Sequence, residues 1–147
     1  MKKLGEYSSR GKIVGNGFIK LKLFDGRFDT GYKVKEFRVF GDPDAETGTD
    51  AYGLISTMED DNITDGADWN WEDNNQIAWA TTSYSGAGAT ISEWTLVDPE
   101  NLVVEDLYVY VRLGGGATGV NYFIDFEKYD ISEWRGALQM VRNSSQG

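Results

Sequence analysis

The sequence predicts a mainly β protein: an antiparallel β-sandwich, jelly-roll-like in form, with one C-terminal α-helix. Three observations lead to this fold class: short segments in which apolar and polar residues alternate, turn residues between these segments, and a change of period near the end of the chain. A chain of 147 residues fits one domain of ordinary size. We therefore treat 1–147 as a single β-sandwich domain, with an N-terminal arm at 1–15, strands within 16–129 and a helix at 131–144. A closed barrel is the second choice.

The predicted strands differ in how clearly they alternate. Phe18–Leu23 places apolar side chains on one face and lysines on the other. Tyr32–Phe40 alternates with an offset of one residue near Lys33–Lys35, which predicts a β-bulge. The segment 106–113 is the best strand, and Val120–Tyr129 is its predicted hairpin partner across a glycine-rich turn. Further strands are predicted at 51–58, 76–81 and 89–96.

The C-terminal segment changes to a helical period. Asp130 and Glu133 have the spacing of a capping box, in which side chains satisfy the first free backbone N–H groups of a helix. Apolar residues then recur three and four positions apart, as on one face of a helix: Trp134, Ala137, Leu138 and Val141.

The net charge of −10 is unevenly distributed along the chain. The first 40 residues hold ten basic and four acidic residues, whereas the remaining 107 hold four basic and twenty acidic ones. Two interpretations remain open: oppositely charged flanks suited to head-to-tail contact between copies, or strands that interleave and mix the charges. The net negative field disfavours direct nucleic-acid binding. No apolar run approaches the length of a membrane helix, so we expect no membrane partner.

The residue types restrict the possible chemistry. The chain has no histidine and no cysteine, which excludes Ser-His-Asp and Cys-His nucleophilic sites and imidazole metal ligands. A pair of carboxylates could still hydrolyse a glycosidic bond, but none of the 24 acidic residues forms a distinctive pair in the sequence. We therefore predict that the protein is not an enzyme.

The loop Asp42–Asp50 is the one candidate for a bound cofactor. Its alternating carboxylates resemble a calcium loop, but Thr47 occupies the position of the turn glycine and Gly53 that of the bidentate glutamate. We predict a solvated acidic loop without a cofactor, with calcium binding as the alternative.

The tryptophans are the most informative aromatic residues. Trp79 and Trp94 lie in strand patterns and are predicted to be in the core. Trp69 and Trp71, two residues apart in a polar loop, would project to the same side of an extended segment. Exposed aromatics of this kind stack on sugar rings or anchor protein interfaces. The alternative is that the loop folds back over one end of the sandwich.

Several segments resemble small proteins encoded by marine and environmental bacteriophages that are regarded as virion components. The segments that carry this resemblance are Leu23–Tyr32, Asp73–Ala80, Tyr129–Glu133 and Gln139–Asn143. The resemblance implies a class, a virion protein, and no catalytic motif. The chain lacks a long basic arm, which favours the shell or its exterior over a position facing the genome.

These observations predict a viral structural protein located in the virion, a capsid, cement or decoration subunit. Its partners would be copies of itself in a homo-oligomer or the proteins of a capsid lattice. The interface candidates belong to the basic N-terminal segment and the tryptophan loop: Lys2, Lys3, Arg10, Lys12, Trp69 and Trp71. The alternative function is a carbohydrate-binding β-sandwich module in which the exposed tryptophans form the stacking platform.

Overall fold

The computed structural model describes residues 2–42, 48–86 and 90–132, which form eight strands in two antiparallel sheets. The strands are β1 (Lys2–Val14), β2 (Gly17–Leu21), β3 (Thr30–Gly41), β4 (Thr49–Ser56), β5 (Gln76–Tyr84), β6 (Ile91–Val97), β7 (Leu107–Gly115) and β8 (Gly119–Asp130). The three-stranded sheet has the order β1-β8-β3, and the five-stranded sheet has the order β2-β7-β4-β5-β6. The prediction of a mainly β protein is confirmed.

The predicted helix at 131–144 lies outside the described residues, except for Ile131 and Ser132. Within the three described ranges no helix is long and apolar enough to cross a membrane.

One main apolar core contains residues from both sheets. The inward positions of β7 and β3 supply Val109, Val111, Phe37 and Val39, and β8 supplies Ile124, all of them buried. Burying such a side chain contributes about 1.5–3 kcal/mol relative to leaving it in water. The alternation in the sequence therefore selects the face of each strand that packs against the other sheet.

The β-bulge predicted in β3 is confirmed. The pairing of β3 with β8 shifts register between Val34 and Glu36. Asn101, which is buried, holds the chain there: its side-chain oxygen accepts a hydrogen bond from Val34 N at 2.8 Å, and its side-chain nitrogen donates to Val34 O at 2.9 Å. An amide side chain thus replaces a strand partner at the free edge of β3.

The N-terminal segment differs from its prediction. Lys2–Val14, for which the sequence predicts an arm, is the edge strand β1 and pairs with β8 along its length. Only Ile13 of this strand is buried. A strand that is exposed on both faces has no apolar alternation, so its sequence pattern gives no strand signal.

The predicted hairpin between the segments that form β7 and β8 is wrong, because the two strands belong to different sheets. The chain leaves the five-stranded sheet at Gly115, which has φ of 65°. A Cβ at this position would lie 2.3 Å from Gly48 O. A glycine is needed there because the backbone is in the left-handed region and lies in close contact with the segment at Gly48.

Candidate functional site

The loop 57–75, between β4 and β5, folds onto the outer face of the five-stranded sheet. Ile63 of the loop is buried against the outward side chains Leu54, Trp79 and Tyr110, with Trp69 and Tyr108 at the margin of this second apolar cluster. The loop approaches the sheet most closely at Gly66, where a Cβ would lie 2.4 Å from Tyr52 O. The loop therefore covers the central outward side chains of β4, β5 and β7, and the sheet is packed on both faces there.

Gln76 fixes the loop to the sheet. This buried side chain accepts hydrogen bonds through Oε1 from Asn70 N at 2.9 Å and from Trp79 Nε1 at 3.0 Å. Its Nε2 donates to Asp68 O at 3.1 Å. One amide thus joins the loop backbone to the first residues of β5, which gives the loop a defined conformation.

A carboxylate within the loop supports the same conformation. Asp68 Oδ2 accepts hydrogen bonds from the hydroxyl and the backbone N–H of Thr64 and from Asp65 N. The Thr64 hydroxyl, more than any other neighbour, lowers the pKa of Asp68 below its usual value, while partial burial acts in the opposite direction. The ionised carboxylate is thus the form that holds this turn of the loop.

Four tryptophans meet where the loop reaches β6. The rings of Trp69 and Trp94 are stacked with centroids 5.4 Å apart, and those of Trp71 and Trp94 with centroids 6.1 Å apart. Trp71 also contacts Trp79 edge-on at 5.9 Å. The structure therefore brings both predicted loop tryptophans to one place, on the two tryptophans of β5 and β6.

The prediction of core positions is confirmed for Trp79 and wrong for Trp94. Trp79 is buried, whereas Trp94 is 42% exposed. The difference arises because β5 is an interior strand under the loop, while β6 is the edge of its sheet and has a neighbour on one side only. A strand pattern in the sequence does not distinguish an interior strand from an edge strand.

Three apolar side chains form an exposed surface at this edge, which we call the tryptophan patch: Trp71, Trp94 and Leu96. Their exposed fractions are 62%, 42% and 41%. Trp69 is half-buried, and its Nε1 donates to Gly66 O at 2.8 Å. The next loop residue, Glu72, is an exposed carboxylate, so the patch has an apolar centre and an acidic margin. Such a surface can stack on a planar ligand or form the centre of a protein interface.

A second candidate surface lies on the outer face of the three-stranded sheet, which we call the basic groove. Two rows of side chains cross this face: Arg10, Phe123 and Arg38 are neighbours in register, as are Lys12, Asn121 and Phe40. These six residues, together with Glu36 and Glu93, line an open groove of 850 Å³. Phe123 is 37% exposed, so the groove has an apolar side chain among cations.

The cations of the groove differ in how they are paired. Lys12 Nζ lies 2.7 Å from Asp42 Oδ2, and its ammonium lowers the pKa of the Asp42 carboxyl. Arg38 donates two hydrogen bonds to Glu93, at 2.7 and 3.0 Å, which raise the pKa of Arg38. Arg10 has no ion-pair partner in the described part of the chain, so its guanidinium is available to an incoming anion.

The predicted basic candidates therefore separate into two places. Arg10 and Lys12 line the groove, whereas Lys2 and Lys3 lie at the opposite end of β1. Lys3 is paired within the molecule, with Glu6 and with Glu127, whose carboxylate is 2.7 Å away. Lys3 thus forms ion pairs within the fold, at the end of β1 that is far from the groove.

The residues of these surfaces that were not predicted from the sequence include Trp94, Arg38 and Phe123. Arg38 lies in a segment where apolar and charged residues alternate regularly, so the sequence predicts only that its side chain points outward. Phe123 did give one, because it stands between the inward Tyr122 and Ile124, which makes three apolar residues in succession in a strand. Single apolar residues are common on protein surfaces, so this signal alone did not identify the groove.

The charges separate by face. Strands β1, β3 and β8 together carry eight basic and five acidic residues, a net charge of +3. The loop 57–75 on the other side carries seven acidic and no basic residues, a net charge of −7. Strands of the basic first 40 residues nevertheless pair with β7 and β8, and Lys3, Lys12 and Arg38 form ion pairs with acidic residues of the later segment. The charges therefore partly mix, as the second interpretation expects, while the acidic loop stays on the other side.

The candidate calcium loop lies largely outside the described residues, since 43–47 are not among them. Among the residues that are described, no group of three or more acidic, histidine or cysteine side chains could hold a metal ion. Asp42, the first carboxylate of that loop, is committed to Lys12.

Comparisons with known proteins returned no match: no family model, no curated protein and no solved structure is significantly similar to this chain.

Proposed function

We propose that this protein is a structural subunit that assembles with copies of itself or with a protein lattice, as a capsid, cement or decoration component of a virion. The proposal is supported by the strand order and by the exposed tryptophan patch. The patch is the observation that carries it, since soluble monomers seldom place contiguous aromatic surface beside an unprotected sheet edge.

The strand order supports a jelly roll as the finer fold class. The pairs β1–β8, β2–β7 and β4–β5 are nested, as in a long hairpin that has been rolled up. The remaining nested pair, β3 and β6, has no hydrogen-bonded ladder, and the two strands are joined by the ion pair between Arg38 and Glu93. Eight-stranded jelly rolls occur in viral capsid and lectin domains, so this fold accommodates either candidate function.

The test is the oligomeric state of the purified full chain. We expect concentration-dependent assembly in analytical ultracentrifugation and regular particles or arrays in electron microscopy. Trp71→Ala should weaken assembly because it removes the most exposed aromatic ring of the patch. Val14→Ser is the matched control, since Val14 is an exposed apolar residue of β1, outside the patch. A chain that stays monomeric at every concentration and does not bind virions would contradict the proposal.

A carbohydrate-binding module is the second candidate. It is favoured by the exposed ring of Trp71 beside the carboxylate of Glu72, because a sugar stacks on an aromatic face and donates its hydroxyl protons to neighbouring acceptors. Screening the protein on a glycan array tests this function. Trp71→Ala should abolish any glycan signal, whereas Trp71→Phe should retain part of it. Binding that is unchanged in Trp71→Ala would exclude the patch as the sugar site.

A further inference from the structure

We propose that copies of this chain associate head to tail, with the tryptophan patch and acidic loop of one copy seated in the basic groove of the next. This inference rests on the proposed function, because it identifies a second copy as the partner of a self-assembling subunit. It also assigns a role to the groove, which the proposed function alone does not require.

Charge complementarity selects the second copy as the occupant. The strands that form the groove carry a net charge of +3, and the loop that carries Trp71 has a net charge of −7. The charged residues that line the groove itself are three cations and two carboxylates, a net charge of +1. Loop against loop would bring two strongly acidic surfaces together, whereas groove against loop brings net charges of opposite sign together. A contact between two different surfaces of identical subunits is heterologous, so it repeats along a ring or an open chain.

The side chains of the two surfaces also match in chemistry. The groove of 850 Å³ lies within the range of about 300–1,000 Å³ found for sites that enclose a ligand, and it can accept an aromatic side chain. Trp71, which is 62% exposed, would pack against Phe123 with the free guanidinium of Arg10 over its ring. Glu72 follows directly in the chain and would accept hydrogen bonds from Arg10.

The positions of the two surfaces allow the contact to repeat. The groove lies on the outer face of the three-stranded sheet, and the acidic loop lies on the outer face of the five-stranded sheet. Both sheets flank the same core, so each subunit can bind one copy through its groove while it presents its loop to another. Among the strands that the structure describes, the two surfaces come together only at β6, where Glu93 lines the groove and Trp94 belongs to the patch.

A pair of charge reversals tests this arrangement. Arg10→Glu reverses the groove cation that has no ion-pair partner among the described residues, and Glu72→Lys reverses an exposed carboxylate next to Trp71 in the chain. Each variant alone should associate about tenfold more weakly than the original chain, because each places like charges in the contact. A one-to-one mixture should recover association to within about threefold, since the groove of the Glu72→Lys chain can bind the loop of the Arg10→Glu chain. Sedimentation velocity measures all three samples.

Matched controls carry the same changes of charge elsewhere. Lys22→Glu and Glu105→Lys alter exposed residues outside both surfaces and should leave association unchanged. Head-to-tail contact is refuted if either reversed variant assembles as well as the original chain, or if the mixture assembles no better than its components. In those outcomes the original chain still assembles, and the proposed function stands. An original chain that remains monomeric, or that is monomeric and binds glycans through Trp71, overturns both proposals.

Discussion

Gly66→Ala should lift the covering loop from the five-stranded sheet. A methyl group at this position would lie 2.4 Å from Tyr52 O, 2.6 Å from Val111 Cα and 2.7 Å from Tyr110 O. All three neighbours are backbone atoms of β4 and β7, two paired interior strands, so none of them can rotate away. The loop must move instead, which separates its buried residue Ile63 from the sheet.

The cost follows from this geometry. Adding a methylene to a packed interior typically destabilises a protein by about 1–3 kcal/mol, and rigid neighbours place Gly66→Ala near the upper limit of about 3 kcal/mol. For a chain of this size, each kcal/mol lowers the Tm by about 2–4 °C, so we expect a decrease of about 6–12 °C.

Urea unfolding, followed by tryptophan fluorescence, measures the change in the free energy of unfolding. The signal includes Trp69 and Trp71 of the loop itself, so loss of the loop contacts should also alter the folded baseline. Gly114→Ala is the matched control: the nearest atoms to its Cβ all belong to Asp50 and lie at 3.5–4.0 Å, and its effect should stay within about 0.5 kcal/mol. If both variants unfold at the same urea concentration as the original chain, the close approach of the loop to the sheet is refuted.

Three further predictions concern the polar contacts. Gln76→Ala removes three hydrogen bonds and leaves Trp79 Nε1 without its acceptor. The free energy of unfolding, measured by calorimetry, should fall by about 2–3 kcal/mol. A decrease below about 0.5 kcal/mol would mean that the amide does not anchor the loop. Folding lowers the pKa of Asp68, so its ionised carboxylate stabilises the folded state at pH values above about 3.9, the pKa of this group in the unfolded chain. This stabilisation is lost as the pH falls through the pKa of the folded state. Urea midpoints between about pH 2 and 7 should therefore depend less on pH in Asp68→Asn, and an unchanged profile would contradict this account. Arg38→Ala should cost no more than about 1 kcal/mol, because the ion pair with Glu93 is largely exposed; a larger loss in urea unfolding would show that this pair holds β3 and β6 together.

The sequence predicted the elements whose two faces differ. In β2 and β3, apolar residues alternate with lysines or other charges, and both the strands and the bulge in β3 were found at their observed positions. Trp79 was assigned to the core from its strand pattern, and it is buried on the outer face of its sheet, under the loop 57–75. Periodicity is informative in these segments because one face packs in the core while the other meets water.

Periodicity could not show which strands share a sheet or lie at its edge. The outward positions of β7 hold Tyr108 and Tyr110, and its inward positions hold Val109 and Val111, so the strand is apolar on both faces. That pattern was a signal of a covered outer face, and the loop 57–75 provides the cover. Individual hydrogen bonds, such as those of Gln76, hold this loop on the sheet. Such contacts produce no repeating pattern in the sequence.

Two of the four edge strands, β1 and β6, are protected to different degrees. β1 carries Lys2, Lys3, Arg10 and Lys12 and has an irregular register between Lys3 and Gly5, and both charges and irregularity discourage pairing with another strand. The edge strand β6 pairs with β5 without a register shift and exposes Ile91, Trp94 and Leu96. Its single charge, Glu93, is held by Arg38 on the other sheet. Contact with a second molecule is therefore less hindered at β6 than at β1, and the exposed side chains of β6 favour apolar packing.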